Sequence, residues 1–486
     1  MKKRLILPLL IFVSTCLRAQ QDTRVARIDS MMTFAAEHGL FNGSIFVSEK
    51  GKLLYSRSFG YANYDTKEPV TENTLFNLCS ISKQFTATGI LMLLEEGKLT
   101  LDDSLRQYFP ELPYSVTLRQ MLHHISGLPD YMQLGMQYWK EGNIAANREA
   151  IALLAEHKPP MLFQPGEKFQ YCNTGYVLLA AVIEKLSGLS YADFIRQRIF
   201  EPLGMQQSRV YRTVFDETTQ KGIAFGYVID PGQARMVLPE NYAPYQKQVT
   251  TLTGTFGDGG IFSSSHDMWI WEKALENNTL LKKTTLEAAF TSGLLNDGRP
   301  AGYGFGWFVA KDGEGRRLVQ HTGGWPGHRN AFIRFPDEDV TLLVLRNNEV
   351  DFMGMQPAVI NILENKPFNM PKTSLAQALC MAALKGGEPS VIGETYEAVK
   401  GRCTIREEDV NDIGYGLLAS GRKQHALEVF KLNVQLFPQS ANAFDSLGEA
   451  YLALGDTANA KDYYSKSLAL NPGNEGAKRA LEKIGQ

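Results

Sequence analysis

Cysteine is scarce in this sequence, with five in 486 residues. None stands in a Cys-x-x-Cys pair, and no group of Cys and His residues has zinc spacing, so a zinc ribbon and a dithiol redox motif are excluded. Excess charge of either sign is lacking too. The 50 Lys and Arg face 52 Asp and Glu, a formal net charge of −2. No overall field therefore favours nucleic acid or an anionic membrane surface. Beyond the N-terminal region no apolar run is long enough for a membrane helix. The balance of 44% hydrophobic and 21% charged residues is that of an ordinary globular chain, without a bias toward disorder.

What is present begins at the N-terminus. Met1-Lys2-Lys3-Arg4 is basic, Leu5 to Val13 is apolar apart from Pro8, and smaller residues follow to Ala19. That order reads as a signal peptide over residues 1–19, cut after Ala19, and predicts export to the periplasm or the cell exterior. Val13-Ser14-Thr15-Cys16 weakly resembles a lipoprotein signal, and a lipid anchor on Cys16 is the lesser alternative. Once the leader is gone, Cys79, Cys172, Cys380 and Cys403 remain. An exported chain can form disulfides, but one this long buries a core without them. Free thiols are expected, with a Cys380–Cys403 bridge as the alternative.

The length suggests two to four domains. Residues 22–365 mix strand and helix signals, 371–406 look helical and form a linker, and 407–486 are helical and repetitive. Ser44 to Val47 and Lys52 to Ser58 read as strands around a Lys50-Gly51 turn. Tyr303 to Ala310, Arg316 to His321, His328 to Phe335 and Val340 to Leu345 read as further strands. An antiparallel sheet built from both ends of the large region is expected, with helices between. Ser80 to Glu96 is apolar nearly all round, so it predicts one buried helix ended by Gly97.

Two windows of 34 residues, from Glu407 and from Ala441, align. Phe444, Leu447, Gly448, Tyr451, Gly455, Ala460, Tyr464 and Pro472 stand at tetratricopeptide positions. Val410, Ile413, Gly414, Leu417, Gly421, Ala426, Phe430 and Pro438 take the same offsets. The segment resembles a tetratricopeptide array. Two readings stand side by side: a groove for a peptide or protein partner, or an appendage docked on the large domain.

Three motifs carry chemistry. In Ser80-Ile81-Ser82-Lys83 the spacing of three puts Lys83 beside the Ser80 hydroxyl on a helix. A buried lysine loses its proton more readily and can act as a base near neutral pH. The spacing alone is weak, since Ser420-Gly421-Arg422-Lys423 also fits but sits in a repeat turn. In Tyr171-Cys172-Asn173 the phenol can relay a proton and the amide can hold substrate; Tyr61-Ala62-Asn63 is its chance counterpart. In His321-Thr322-Gly323-Gly324 the glycines permit close backbone approach to a ligand. The backbone amides of Ser80 and Gly324 would then hold an oxyanion, each such donor being worth about 3–4 kcal/mol in the transition state.

In this order, and with Phe76 to Ala87, His123 to Tyr131, Phe169 to Tyr176 and Gly257 to Ile261 around them, the motifs resemble the serine β-lactamase and penicillin-binding protein superfamily. The variant is nearest its class C β-lactamase, D,D-peptidase and esterase branch. The resemblance covers about residues 25–365. It implies an α+β fold, an antiparallel sheet flanked by helices with a helical subdomain, followed here by the all-α repeats. It also implies Ser80 as nucleophile, Lys83 and Tyr171 sharing proton transfer, and Asn173 and the residues from His321 to Gly324 holding a small-molecule or peptide substrate. No cofactor or metal is implied.

Two departures matter. Penicillin-recognising members usually carry Lys where this chain has His321, and histidine is only partly charged near neutral pH. Esters or other amides are therefore favoured over penicillins and cell-wall peptides, with a β-lactamase or D,D-carboxypeptidase as the alternative. Cys172 replaces a small polar residue and reads as packing. A degenerate sensor that recruits partners through its repeats is a third reading, opposed by the complete set of four residues. His123 and His124 read as structural, and Tyr303, Trp307 and Trp325 as packing rather than pocket lining.

Overall fold

The computed structural model describes residues 23–139, 145–211 and 222–485. The leader at residues 1–19 and Cys16 lie outside them. The sheet takes strands from both ends of the large region, as the alternation predicts. β1 (Gly43–Glu49) and β2 (Lys52–Phe59) come from its start. β3 (Phe308–Lys311), β4 (Arg317–Trp325), β5 (His328–Phe335) and β6 (Val340–Arg346) come from its end. The order is β3-β4-β5-β6-β1-β2, and every neighbouring pair is antiparallel.

Side chains alternate across a strand, and both faces of this sheet are covered. Phe46, Phe332, Leu343 and Leu345 point into one core, shared with α2 (Lys83–Glu95), α3 (Asn147–His157) and α4 (Asn173–Ser187). Ile45, Val47, Ile333, Phe335, Leu342 and Val344 point into a second core. That core includes α1 (Thr23–Glu37), α5 (Met355–Leu363) and α6 (Leu375–Lys385). Burial on both faces explains why β1 and β6 read as continuous apolar runs.

Two expected elements differ in extent. The strand expected from Tyr303 begins only at Phe308. Gly304 and Gly306 press instead on neighbouring backbone: a Cβ on Gly304 would lie 2.1 Å from the Ala289 carbonyl oxygen, and one on Gly306 2.8 Å from that of Lys83. The helix expected from Ser80 starts at Lys83, after a single 3-10 turn over Cys79–Ser82. Gly97, at φ +70°, closes it, and the Lys98 amide reaches the Leu93 carbonyl at 3.0 Å, the left-handed ending expected of a helix-terminal glycine.

Residues 371–406 hold α6 and α7 (Val391–Val399), and Thr373–Ser374 pairs in parallel with Cys403–Thr404. The repeats follow as α8 (Glu407–Ala419), α9 (Lys423–Leu436), α10 (Ala441–Ala453), α11 (Thr457–Leu470) and α12 (Glu475–Gly485). Gly414 admits the ring of Phe430, and Gly448 that of Tyr464, so each small residue lets its helix pair close. Val410, Ile413, Leu417 and Phe430 belong to the second core with the sheet. Cys79, Cys172, Cys380 and Cys403 are all free thiols, so the alternative Cys380–Cys403 bridge is absent.

Gly416 carries the contact between repeats and sheet domain. A Cβ there would lie 2.0 Å from the Pro231 carbonyl oxygen, in the hairpin of Val228–Asp230 and Arg235–Val237. Gly416→Ala is expected to lower the unfolding free energy by about 1–3 kcal/mol. Gly401→Ala, which meets nothing within 4 Å, should change it by less than about 0.5 kcal/mol. Urea unfolding of both variants checks the difference.

Candidate active site

Ser80 sits in the 3-10 turn between a short strand, Phe76–Asn77, and α2. Residues i and i+3 eclipse in such a turn, which aligns Lys83 under Ser80 more closely than an α-helix would. Lys83 Nζ donates to Ser80 Oγ at 3.2 Å, to Asn173 Oδ1 at 2.9 Å and to the Asp258 carbonyl at 2.7 Å. Those three acceptors match the three N–H bonds of an ammonium. Lys83 is fully buried. Burial brings its pKa down to about 8, with Asp258 and Asp130 opposing the fall.

The turn is held under strain. Cys79 adopts φ +53°, a left-handed conformation that costs a non-glycine residue about 1–3 kcal/mol. Its amide donates to Asn77 Oδ1 at 2.9 Å, and Asn330 Nδ2 on β5 donates to the Asn77 carbonyl at 2.7 Å. The Ile261 amide donates to Ser82 Oγ at 3.2 Å. The turn that carries Ser80 is thus pinned to the sheet on one side and to the strand Ile261–Ser263 on the other.

Tyr171 precedes α4 and stacks over the lysine, with Nζ 4.8 Å from its ring centre. Its hydroxyl is buried and makes no hydrogen bond among the described residues. Burial holds the phenol well above its ordinary pKa, and Ser80 is the neighbour that draws it back. His124 packs on the Tyr171 ring at 4.3 Å, and its Nδ1 accepts the Cys172 amide at 3.1 Å. Burial and Lys83 keep His124 neutral, well below its ordinary pKa. His123 Nδ1 lies 2.8 Å from the Tyr303 carbonyl oxygen. Neither histidine joins a metal-binding cluster among the described residues.

The third motif divides between the two faces of β4. Gly323 faces the nucleophile; a Cβ there would lie 2.3 Å from the Leu78 carbonyl oxygen and 3.2 Å from Cys79 Cβ. Gly324 lines the cleft beside Ser80. Thr322 points the other way, into a separate groove with Leu318, Ile333 and Ile360. His321 is 1% exposed, with Nε2 2.8 Å from the Tyr303 hydroxyl and Nδ1 2.6 Å from the Thr322 carbonyl oxygen. Burial and Lys83 push its pKa down to about 3. Of the four residues expected to hold substrate here, Gly324 alone borders the cleft. Thr322 is carried away by strand alternation, Gly323 is filled by the nucleophile turn, and His321 has both nitrogens engaged within the protein.

The cleft encloses about 400 Å³. Ser80, Asn173 and Gly324 share it with Tyr131, Asp258, Trp325, Arg329, Glu349 and Tyr245, none of which the motifs single out. Trp325 packs against the small cluster around Tyr131 and Val177, as expected, and also lines the pocket. Tyr303 and Trp307 are buried as expected. Asp258 lies in the Gly257 to Ile261 segment of the resemblance, with no role read for it there; its carbonyl reaches Lys83 because Gly257, at φ +103°, turns the chain there.

A fold of this kind with a Ser–Lys–Tyr site defines a β-lactamase-type serine hydrolase. The beta-lactamase family pattern matches residues 25–364, and the chain belongs to that family; a tetratricopeptide repeat pattern matches residues 441–474. Penicillin-binding protein 4* of Bacillus subtilis (strain 168) is 39% identical over 354 residues, 71% of this chain and 77% of that protein. A D-aminopeptidase of Gluconobacter oxydans (strain 621H) is 29% identical over 314 residues, 63% of this chain but 55% of its own length. The octameric penicillin-binding protein homologue from Pyrococcus abyssi superposes with a TM-score of 0.59 at 30% identity, over 70% of this chain and 78% of that one. D-amino acid amidase from Ochrobactrum anthropi SV3 superposes at 0.56 with 23% identity, over 71% of this chain and 99% of its own, a likeness of fold alone.

Gly323→Ala is expected to force β4 off the nucleophile turn and to lower kcat by about 100-fold. Steady-state kinetics on a small ester, beside an unchanged far-ultraviolet spectrum, checks it.

Proposed function

We propose that this chain is an exported hydrolase that cleaves small esters or amides through an acyl-enzyme on Ser80. The observation that carries the reading is the Lys83 ammonium 3.2 Å from Ser80 Oγ. With Lys83 neutral, Nζ accepts the Ser80 proton as Oγ bonds to the substrate carbonyl carbon. The amides of Ser80 and Gly324 stabilise the charge that develops on the carbonyl oxygen. The Tyr171 hydroxyl gives its proton to the leaving group as that bond breaks, and Lys83 returns the proton to Tyr171. Asn173 keeps Lys83 aimed at Ser80. Water then enters by the reverse path and frees the acid. Export rests on the leader pattern of residues 1–19.

Esters and simple amides are favoured over penicillins because position 321 offers no fixed cation to a substrate carboxylate. The buried neutral His321 strengthens that preference. The repeats act first as a structural extension of the sheet domain, a role supported by Gly416 and by the apolar residues they contribute to the second core.

Incubation with p-nitrophenyl acetate should give a covalent acetyl adduct by intact mass, abolished in Ser80→Ala. An absence of adduct and of turnover across esters and amides would remove the reading. A fluorescent penicillin should label the protein poorly while esters turn over; strong labelling would shift the assignment to a D,D-peptidase or β-lactamase.

The pH profile follows from Lys83. The base must be unprotonated, and its pKa is lowered to about 8. The neutral fraction rises from about one-tenth at pH 7 to about nine-tenths at pH 9, so kcat/KM should climb with pH across that window. A flat profile would show that another group takes the serine proton.

A further inference from the structure

We propose that His124 is a positioning residue for the proton donor: by holding the backbone amides on both sides of Tyr171, it aims the phenol at the leaving group. This rests on the acyl-enzyme reading above and names the group that directs its second proton transfer.

The Tyr171 hydroxyl has no hydrogen bond of its own among the described residues. Its direction is therefore set by its backbone and by what touches its ring, and His124 supplies both. The His124 carbonyl accepts the Gln170 amide at 3.0 Å, and its Nδ1 accepts the Cys172 amide at 3.1 Å. Its ring centre lies 4.3 Å from that of Tyr171, against 6.0 Å or more for Phe308, His321 and Tyr303. One residue thus takes the two amides that bracket Tyr171 and packs on its ring. Neighbouring bonds extend the grip. Cys172 Sγ donates to the Leu128 carbonyl at 3.4 Å, and Thr174 Oγ1 to the Pro129 carbonyl at 2.7 Å.

Keeping a histidine at this place costs the fold something. His124 adopts φ +56°, the left-handed region that strains a non-glycine residue. That conformation follows the short helix Leu118–Leu122, and with it carbonyl and ring both meet residues 170–172. Because Nδ1 accepts, the ring proton sits on Nε2, and Nε2 is buried without a hydrogen-bond partner among the described residues. An apolar side chain filling the same space would leave no donor unsatisfied. The strain and the unpaired nitrogen mark a side chain placed for its Nδ1 rather than for its bulk. His124 is 1% exposed, and burial with Lys83 nearby keeps it neutral. Nδ1 therefore stays an acceptor whichever form Lys83 takes.

The test reads leaving-group dependence. p-Nitrophenolate departs without a proton, ethoxide needs one, and both acetates pass through the same acetyl-enzyme. The ratio of kcat/KM for p-nitrophenyl acetate to that for ethyl acetate therefore reports the aim of Tyr171. It is read within one variant, so a general loss of folded protein cancels. His124→Leu should raise the ratio by about 10- to 100-fold, part of the factor that a positioned general acid supplies. Tyr171→Phe should raise it at least as much, and adding His124→Leu to Tyr171→Phe should raise it no further, since the two act through one group. His124→Asn tolerates the left-handed backbone and sets an amide oxygen where Nδ1 stands, so it should keep the ratio of the unaltered protein. An unchanged ratio in His124→Leu, or a further rise on adding it to Tyr171→Phe, overturns the role. Where His124→Leu fails to fold, His124→Asn and His124→Gln decide, because Gln sets its oxygen one bond too far: Gln alone should raise the ratio, and equal ratios sink the proposal. An unaltered protein that cleaves the p-nitrophenyl ester but not the ethyl ester sinks the positioning role alone, since no donor is then aimed. Inertness toward both esters would sink the acyl-enzyme reading with it.

Discussion

The site depends on one buried ammonium. Lys83 lies wholly inside the protein, where an isolated charge is costly, and three oxygen acceptors from three separate segments offset that cost. Each acceptor fixes a different part of the fold. Ser80 belongs to the 3-10 turn, Asn173 opens α4, and Asp258 sits in the glycine-rich loop before the strand Ile261–Ser263. The lysine is therefore a clamp between three segments, and the proposed reaction uses the same group as its base. In the proposed reaction the neutral amine takes the serine proton and becomes an ammonium in a place where acceptors already stand ready for it. Such a group is best kept near the boundary between its two forms, and burial does that here.

Around this clamp the backbone is arranged to bring β4 against the nucleophile turn. Cys79 accepts a left-handed conformation, and Gly323 gives up a side chain so that the Leu78 carbonyl can approach. The hydrogen bonds of Asn77 to Cys79 and Asn330 hold the strained turn in register with the sheet. Strain persists only where its surroundings over-determine it, and two well-filled cores on opposite faces of one sheet supply that rigidity. The second core joins the repeats to the layer behind the sheet. Val410, Leu417 and Phe430 belong to it, and there α8 packs on α6 and α9 on α7.

The fold was legible in the sequence wherever periodicity was strong. β1, β2, β5 and β6 follow runs of alternating or continuous apolar residues, and both repeat pairs follow their small-residue positions. Ser80, Lys83, Tyr171, Asn173 and Gly324 were legible because spacing and order specify them. What escaped was set by the third dimension. Whether Ser80 opens a helix or a single tighter turn depends on Asn77 and Ile261, far apart in the chain. His321 reads as a cleft residue until strand pairing buries it under Tyr303. Trp325 reads as packing because nothing local shows that β4 ends at the cleft. Asp258 falls in the Gly257 to Ile261 segment of the resemblance, but nothing local places it beside Lys83, which follows from the turn at Gly257.

The neutrality of His321 reorganises the electrostatics of the cleft. A lysine at that position would add a second cation beside Lys83 and would depress the pKa of the catalytic lysine further, since like charges disfavour each other's charged forms. Burial and Lys83 push the His321 pKa down to about 3, so the ring is uncharged near neutral pH, and Lys83 is left as the sole inner cation among the described residues that line or floor the cleft. The acidic groups Asp258 and Asp130 then weigh more heavily, holding its pKa up against burial. At position 321 itself a substrate carboxylate would meet no fixed cation, because both ring nitrogens are engaged within the protein.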